Sequence, residues 1–166
     1  MKIKIISCFI ISLLNAATIT SAQGIPKELW GKWVVRRELP TTTISCWGEQ
    51  EARKIIGTEI EYSDKIFRWN SRVTSNPVAE SKIITAQQFH DENSGGSANS
   101  SQVDFRQLGI NQARTTEIKI HHADALLSAT TNEIPGDDIL VKDTHTIVFS
   151  VCNTFFVANR VPIENR

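Results

Sequence analysis

The sequence predicts a mainly β protein whose strands form an antiparallel meander that closes into a small barrel or, alternatively, folds into a β-sandwich. Three observations carry this prediction. Apolar and polar residues alternate with a period of two in several stretches, short turn signals separate those stretches, and no long apolar repeat of helical period interrupts them. Consecutive strands with short links and no crossover helices are typical of a meander, which buries one face by curling or by packing two sheets together.

The alternation places seven or eight strands along the chain. In the first strand Trp33 and Val35 point to one face while Val34 points to the other, and Pro40 ends the run. In the seventh strand Ile147 and Phe149 share a face in the same way. The predicted strands cover residues 32–39, 58–62, 65–69, 81–85, 115–122, 139–142, 146–152 and 155–161.

One short helix is predicted at residues 49–56, where Gly57 provides the left-handed residue that commonly ends a helix. The polar, glycine-containing segment 93–102 predicts a loop, and residues 104–110 predict a turn of helix or a compact loop. The sequence Pro-Gly-Asp-Asp at 135–138 predicts a tight turn before the last three strands.

The first 22 residues have the pattern of a secretory signal peptide. Lys2 and Lys4 precede an apolar run of about ten residues, and small residues follow it as far as Ala22. We therefore expect cleavage after Ala22, a single domain at residues 23–166, and a periplasmic or secreted location. The alternatives are an uncleaved anchor or a lipid at Cys8; the apolar run is shorter than the about 20 residues that a membrane span needs.

The cysteine count predicts one disulfide. Loss of the signal peptide removes Cys8 and leaves Cys46 and Cys152, and an even pair in an oxidising compartment is most simply bonded. The two residues are 106 positions apart, so the bond would tie an early segment to a late strand. Two buried free thiols are the alternative.

Charge balance argues against nucleic-acid binding. The chain has 18 basic and 18 acidic residues, and removal of Lys2 and Lys4 leaves 16 against 18, a net charge of about −2. Nonspecific binding to nucleic acid requires a concentrated excess of Lys and Arg, which this composition does not provide.

No motif predicts catalysis or a cofactor. His121 and His122 are adjacent, so on a strand they point to opposite faces and cannot share one metal ion without a bulge. The carboxylate pair Glu59 and Glu61 alternates with apolar residues and predicts a solvated strand face. Asp137 and Asp138 lie in a turn, where aspartate is favoured because it bonds the local backbone. We expect no catalytic residue, no metal and no cofactor; a hydrolase built on these four carboxylates is the weakest alternative.

The start and end of the predicted barrel resemble the lipocalin and wider calycin group. Gly31 and Trp33 form a G-x-W motif that opens the first strand, and Arg160 lies in the last strand. The resemblance implies a small calycin-like barrel in which Arg160 stacks on Trp33, with a cation-π energy of about 0.5 to 2 kcal/mol. Two features expected of lipocalins are not found in this sequence: a T-D-Y type segment and a helix before the last strand. Trp33 as ordinary core packing is the alternative.

These observations lead us to expect a monomeric, non-enzymatic binding protein of the cell envelope. Its partner would be a small apolar ligand in the barrel, since eight strands enclose just enough room for side chains or one small ligand. Alternatively, the protein is a secreted inhibitor or an immunity protein that binds a periplasmic enzyme. Three tryptophans are candidate binding aromatics, although core packing explains them as well: Trp30, Trp47 and Trp69.

Overall fold

The computed structural model describes residues 24–41, 48–93, 103–121 and 134–162. These ranges contain nine β-strands, two α-helices and a short 3-10 helix at Lys27–Leu29. The strands are β1 Gly31–Glu38, β2 Glu59–Tyr62, β3 Ile66–Trp69, β4 Arg72–Ser75, β5 Val78–Thr85, β6 Arg114–His121, β7 Asp138–Val141, β8 Thr146–Val151 and β9 Thr154–Arg160. The helices are α1 Glu49–Ile55 and α2 Ala86–Asn93.

All nine strands belong to one antiparallel sheet, in the order β4-β3-β2-β1-β9-β8-β7-β6-β5. The first and last strands pair in the middle of the sheet, with Trp33 opposite Arg160. The sheet curls into a half-barrel whose two edges are the consecutive strands β4 and β5. The predicted mainly β antiparallel meander is thus confirmed, and the alternative of two packed sheets does not describe these strands.

The main core fills the concave face of the sheet. Alternate residues of the strands point into the curl, so the period-two pattern of the sequence becomes one continuous apolar layer. Two stacked aromatic pairs anchor it, Tyr62 with Phe67 and Phe149 with Phe156, each with ring centroids 5.5 Å apart. Each large side chain buried here contributes about 1.5 to 3 kcal/mol to folding. The most completely buried members are Leu29, Trp33, Ile60, Tyr62, Phe67, Ile118, Ile139, Phe149 and Phe156.

A second, smaller core lies on the convex face. Helix α2 packs over this face through Phe89, whose ring lies 5.2 Å from the ring of Phe105 and 6.3 Å from that of Phe155. A compact turn follows residue 103, as predicted for 104–110, and its Phe105 and Leu108 pack into the same core. The convex face of the later strands is therefore shielded from solvent where these segments lie on it.

Three elements were missing from the sequence prediction: the 3-10 helix at Lys27–Leu29, helix α2 and strand β4. Helix α2 has only one buried side chain, Phe89, so it shows no apolar stripe of helical period. Strand β4 reads Arg-Val-Thr-Ser, and both Arg72 and Val73 are exposed, so its alternation carries no apolar signal. Helix α1 was predicted within one residue, and Gly57 after it has φ +86° as expected for its position.

Several predicted features lie outside the described residues: the signal peptide at 1–22, Cys46 and Trp47. The pairing of Cys46 with Cys152 therefore stays a prediction. Among the described helices, none has the length and apolar character required to span a membrane.

Candidate functional site

The structure brings together the two residues of the predicted barrel-closing pair. The Arg160 guanidinium carbon lies 4.2 Å from the centroid of the Trp33 ring. Its Nε donates to the Thr144 carbonyl at 2.9 Å, and its two terminal nitrogens donate to the carbonyls of Trp30 and Glu28. Arg160 thus ties the segment before β1 and the turn before β8 to the end of the sheet.

The contacts of Arg160 and Trp33 are all with other parts of this chain. The indole Nε1 of Trp33 donates to the Leu29 carbonyl at 2.7 Å, and the Trp33 ring is fully buried. Burial lowers the pKa of Arg160, but a guanidinium remains charged at any physiological pH. With its nitrogens on three carbonyls and its plane on an indole, Arg160 serves as a structural clamp.

The candidate binding aromatics within the described residues pack against the main core. Trp30 donates from Nε1 to the Ile25 carbonyl at 2.8 Å, and Lys27 Nζ lies 5.7 Å from its ring centroid. Trp69 donates from Nε1 to Thr58 Oγ1 at 3.2 Å. Both indoles are half-buried and pack against the main core, which agrees with the alternative that they are core residues.

The carboxylate pairs singled out in the sequence occupy the positions expected of surface and turn residues. Glu59 is exposed and Glu61 is half-buried, and each pairs with a basic side chain, at 3.9 Å and 3.2 Å respectively. Asp137 Oδ2 accepts a hydrogen bond from the Ile134 backbone at 3.0 Å, which is the local turn bonding that favours aspartate.

A pocket that sequence reasoning missed lies on the convex face, beside α2. Its volume is about 170 Å³, and its accessible lining is mainly polar because the apolar residues around it are themselves buried. We call it the Glu117 pocket, after its most buried ionisable residue. It is lined by Phe89, Glu92, Asn93, Glu117, Lys119, Asp138, Leu140, Val148, Phe149, Ser150 and Phe155.

Glu117 lies on β6 with its side chain only 6% exposed. On the neighbouring strands it is directly opposite Lys82 of β5 and Leu140 of β7. Its Oε2 is enclosed, and Lys82 Nζ lies 2.9 Å away as its ion-pair partner. Burial of a carboxylate is costly unless a cation compensates its charge, so the contact with Lys82 is what stabilises Glu117 at this position.

Lys82 links the sheet to the helix through charge. Its ammonium contacts Glu117 and also both carboxylate oxygens of Glu92 on α2, at 3.1 Å each. The contact with the Glu117 carboxylate is the largest cause that raises the pKa of Lys82, so this side chain stays protonated at neutral pH. The ion pairs position α2 over the pocket.

Lys119 makes much looser contacts. Its Nζ lies 3.9 Å from Glu117 Oε1 and 3.8 Å from Asp138 Oδ2, and its side chain is 46% exposed. Three carboxylates thus surround the pocket against two ammonium groups, a net charge of −1. This surplus of negative charge disfavours an anionic ligand.

The sequence signal for this site is weak. Strict alternation in β6 puts Glu117 on the face opposite Ile118, where a glutamate reads as solvated. It is buried beside α2, whose Phe89, Glu92 and Asn93 line the same pocket, and this contact does not follow from the local pattern. The sequence does not show that Glu117 lies next to Lys82, because this proximity depends on the register in which β5 pairs with β6.

No cluster of three or more His, Cys, Asp or Glu side chains that could hold a metal ion occurs in the described part of the chain. Comparison with protein-family models, curated proteins and solved structures finds no match. The functional argument therefore depends on the geometry of the site itself.

Proposed function

We propose that this chain is an exported, non-enzymatic binding protein of the bacterial cell envelope that recognises a protein partner, as an inhibitor or an immunity protein does. The observation that carries the proposal is the Glu117 pocket: a small, mainly polar recess with one surplus negative charge, open on the outer face of the sheet. Buried anchors in such pockets supply most of the binding energy in protein interfaces.

The size of the pocket supports a partner's side chain over a whole small molecule. Sites for drug-sized ligands usually have volumes of about 300 to 1,000 Å³, and this pocket has about 170 Å³. The concave side gives less support to an apolar ligand inside the barrel, because large aromatic side chains already occupy it.

Binding also fits the chemistry of the pocket better than catalysis does. Both charges on the buried side are paired, since Lys82 bridges Glu117 and Glu92. The sheet is already formed, so binding of a partner here requires little additional ordering of this chain.

Export and the disulfide complete the proposal. The pattern of residues 1–22 directs the chain out of the cytoplasm, and an oxidising compartment would join Cys46 to Cys152. A crosslink that spans 106 positions would hold the scaffold rigid for binding.

The test uses the immobilised full chain and a cell-envelope extract of the organism that produces it. We expect a stoichiometric partner that is retained by the wild type and by Glu80→Lys, and lost with Glu117→Lys. Glu80 is the matched control because it lies on the adjacent strand with its side chain 65% exposed. Equal recovery with all three proteins, or no partner at all, would contradict the proposal. Native mass spectrometry of the purified chain tests the internal ligand separately, since a bound apolar molecule would add a defined mass.

A further inference from the structure

We infer that the open edge of β5 pairs with β5 of a second copy of this chain, antiparallel and centred on Ser81, so that the protein forms a two-fold symmetric dimer. This surface is separate from the Glu117 pocket, and the inference goes beyond the proposed function. It replaces the monomer expected from the sequence.

The outer edge of β5 offers free main-chain groups. β5 is an end strand of the sheet and, within the described residues, pairs only with β6. The Ala86 N–H donates to the Ala113 carbonyl on the β6 side at 3.0 Å. Main-chain groups of successive residues point to opposite sides of a strand, so those of Ala79, Ser81 and Ile83 point away from β6. Such a row of donors and acceptors is a template for another strand.

Both ends of this row are closed. The Thr85 N–H also points away from β6, but it donates to Gln88 Oε1 at 3.0 Å. Pro77, which directly precedes β5, has no N–H to donate. Ser81 lies midway between these two residues. A strand that pairs with this edge is therefore limited to the stretch around Ser81, and a two-fold axis at Ser81 matches the two closed ends to each other.

The exposed apolar side chains of β5 fit the same register. Ile83 is 61% exposed and Val78 is 44% exposed. With the axis at Ser81, Ile83 lies opposite Ala79 of the second copy, a buried member of its main core. Val78 lies opposite Ile84 of the second copy, a buried member of its smaller core. Both cores thus continue across the interface, and two exposed apolar side chains become covered.

Charge selects this register over its neighbours. The pairing places Glu80 opposite Lys82 of the second copy, and the symmetry repeats this pair of opposite charges. An axis at residue 80 would place two glutamates opposite each other, and an axis at residue 82 two lysines, which destabilises a strand pair. Glu80 is available for the contact, because its side chain is 65% exposed and lies 3.5 Å from His121. The Lys82 side chain is 49% exposed although it contacts Glu117.

Sedimentation of the purified full chain over a roughly hundredfold range of concentration tests the dimer. One strand pair is a small interface, so we expect a weak dimer whose population rises with concentration. Glu80→Lys places like charges opposite each other at both pairs and should raise the dimer Kd at least about tenfold. The control Glu59→Lys makes the same charge change at an exposed position of β2 and should match the wild type. A wild type that stays monomeric, or equal association of all three proteins, would overturn the inference.

A cysteine crosslink tests the register and remains informative if Glu80→Lys unfolds. In the proposed pair the two copies of residue 81 are opposite each other, with Cα atoms about 5.5 Å apart, within the range that a disulfide spans. Oxidised Ser81→Cys should therefore form a covalent dimer. Ile83→Cys is the control: residue 83 is more exposed, but its two copies would lie about 14 Å apart, so it should remain monomeric on a nonreducing gel. A dimer of Ile83→Cys without one of Ser81→Cys would overturn the register.

The dimer and the proposed function fail in different ways. Glu80→Lys should lose the dimer and still retain the envelope partner, because Glu80 does not line the Glu117 pocket. A monomeric wild type that retains the partner overturns only the dimer. A wild-type dimer that recovers no partner from the envelope overturns only the proposed function.

Discussion

Raising the pH above about 10 is expected to destabilise the protein through Tyr62, the single tyrosine of the chain. The Tyr62 side chain is buried, with the residue only 1% exposed, and its hydroxyl donates to the Gly136 carbonyl at 2.8 Å. Burial is the main cause that raises the pKa of Tyr62 well above its ordinary value, and the nearby charge of Asp137 raises it further.

The magnitude follows from proton linkage. Below about pH 10 both the folded and the unfolded chain carry the phenolic proton, so stability does not change on its account. Above that value the unfolded chain releases the proton while the folded chain retains it, so the free energy of unfolding falls with rising pH. The loss is about 1.4 kcal/mol at pH 11 and about 2.7 kcal/mol at pH 12, as long as the native pKa lies higher.

The Tyr62→Phe variant provides the matched control. It leaves the buried Gly136 carbonyl without its donor, which should cost about 1 to 3 kcal/mol at neutral pH. It has no proton to lose, so the wild-type advantage should shrink above pH 10 and reverse at about pH 11 to 12. Urea unfolding followed by circular dichroism at several pH values measures this difference, and lysine titration cancels between the two proteins.

Tyrosinate absorbance gives an independent readout, because one tyrosine accounts for the entire signal. We expect the absorbance to rise together with the loss of circular dichroism. Tyrosinate that forms near pH 10 while the sheet remains folded would refute the reasoning, as would a constant gap in stability between wild type and Tyr62→Phe from pH 9 to pH 12.

Three further perturbations test other parts of the fold. Arg160→Met removes the stacking on Trp33 and three hydrogen bonds to carbonyls, so it should lower the free energy of unfolding by about 2 to 4 kcal/mol and the Tm by about 6 to 12 °C. The control Arg36→Met, at an exposed position, should change the Tm little, and a fall below about 2 °C for Arg160→Met in a calorimetric scan would count against the clamp. Gly136→Ala should lower the free energy of unfolding in urea by about 2 to 5 kcal/mol, because the added Cβ would lie 2.5 Å from Tyr62 Oη. The control Gly57→Ala has a similar φ and nothing within 4 Å, so it should cost only about 1 to 2 kcal/mol, and equal losses would exclude the close contact as the cause. Reduction of the exported protein should add two daltons and remove up to about 4.7 kcal/mol of stability through loss of the Cys46 to Cys152 bond, and an unchanged mass would show free thiols.

Strand positions could be predicted from the sequence wherever burial on one face was regular. In β8, Ile147 and Phe149 alternate with their neighbours, and the predicted strand differs from the observed one by a single residue. The predicted strand at 81–85 missed Val78 and Ala79, because β5 is an edge strand on which Val78 and Ile83 are exposed. Alternation is visible only where solvent and core differ on the two faces.

The candidate site was less predictable because it depends on contacts between distant segments. Lys82 and Glu117 are brought together by the pairing of β5 with β6, and Glu92 joins them from a helix that carries one buried side chain. The pairing of Trp33 with Arg160 was accessible only because it follows a family resemblance. Sequence periodicity reports which face a residue occupies, but not which remote element lies on that face.

The central position of β1 and β9 has a consequence for when the protein can fold. Trp33 and Arg160 are 127 positions apart, and closing a loop of that length costs about 4 kcal/mol of chain entropy before any contact repays it. A polypeptide that ends before β9 lacks the strand that joins β1 to β8, so the hydrogen-bonding edges of both strands are unpaired. The complete sheet therefore forms only after the last seven-residue strand has been made, and we expect the incomplete chain to be prone to aggregation until then.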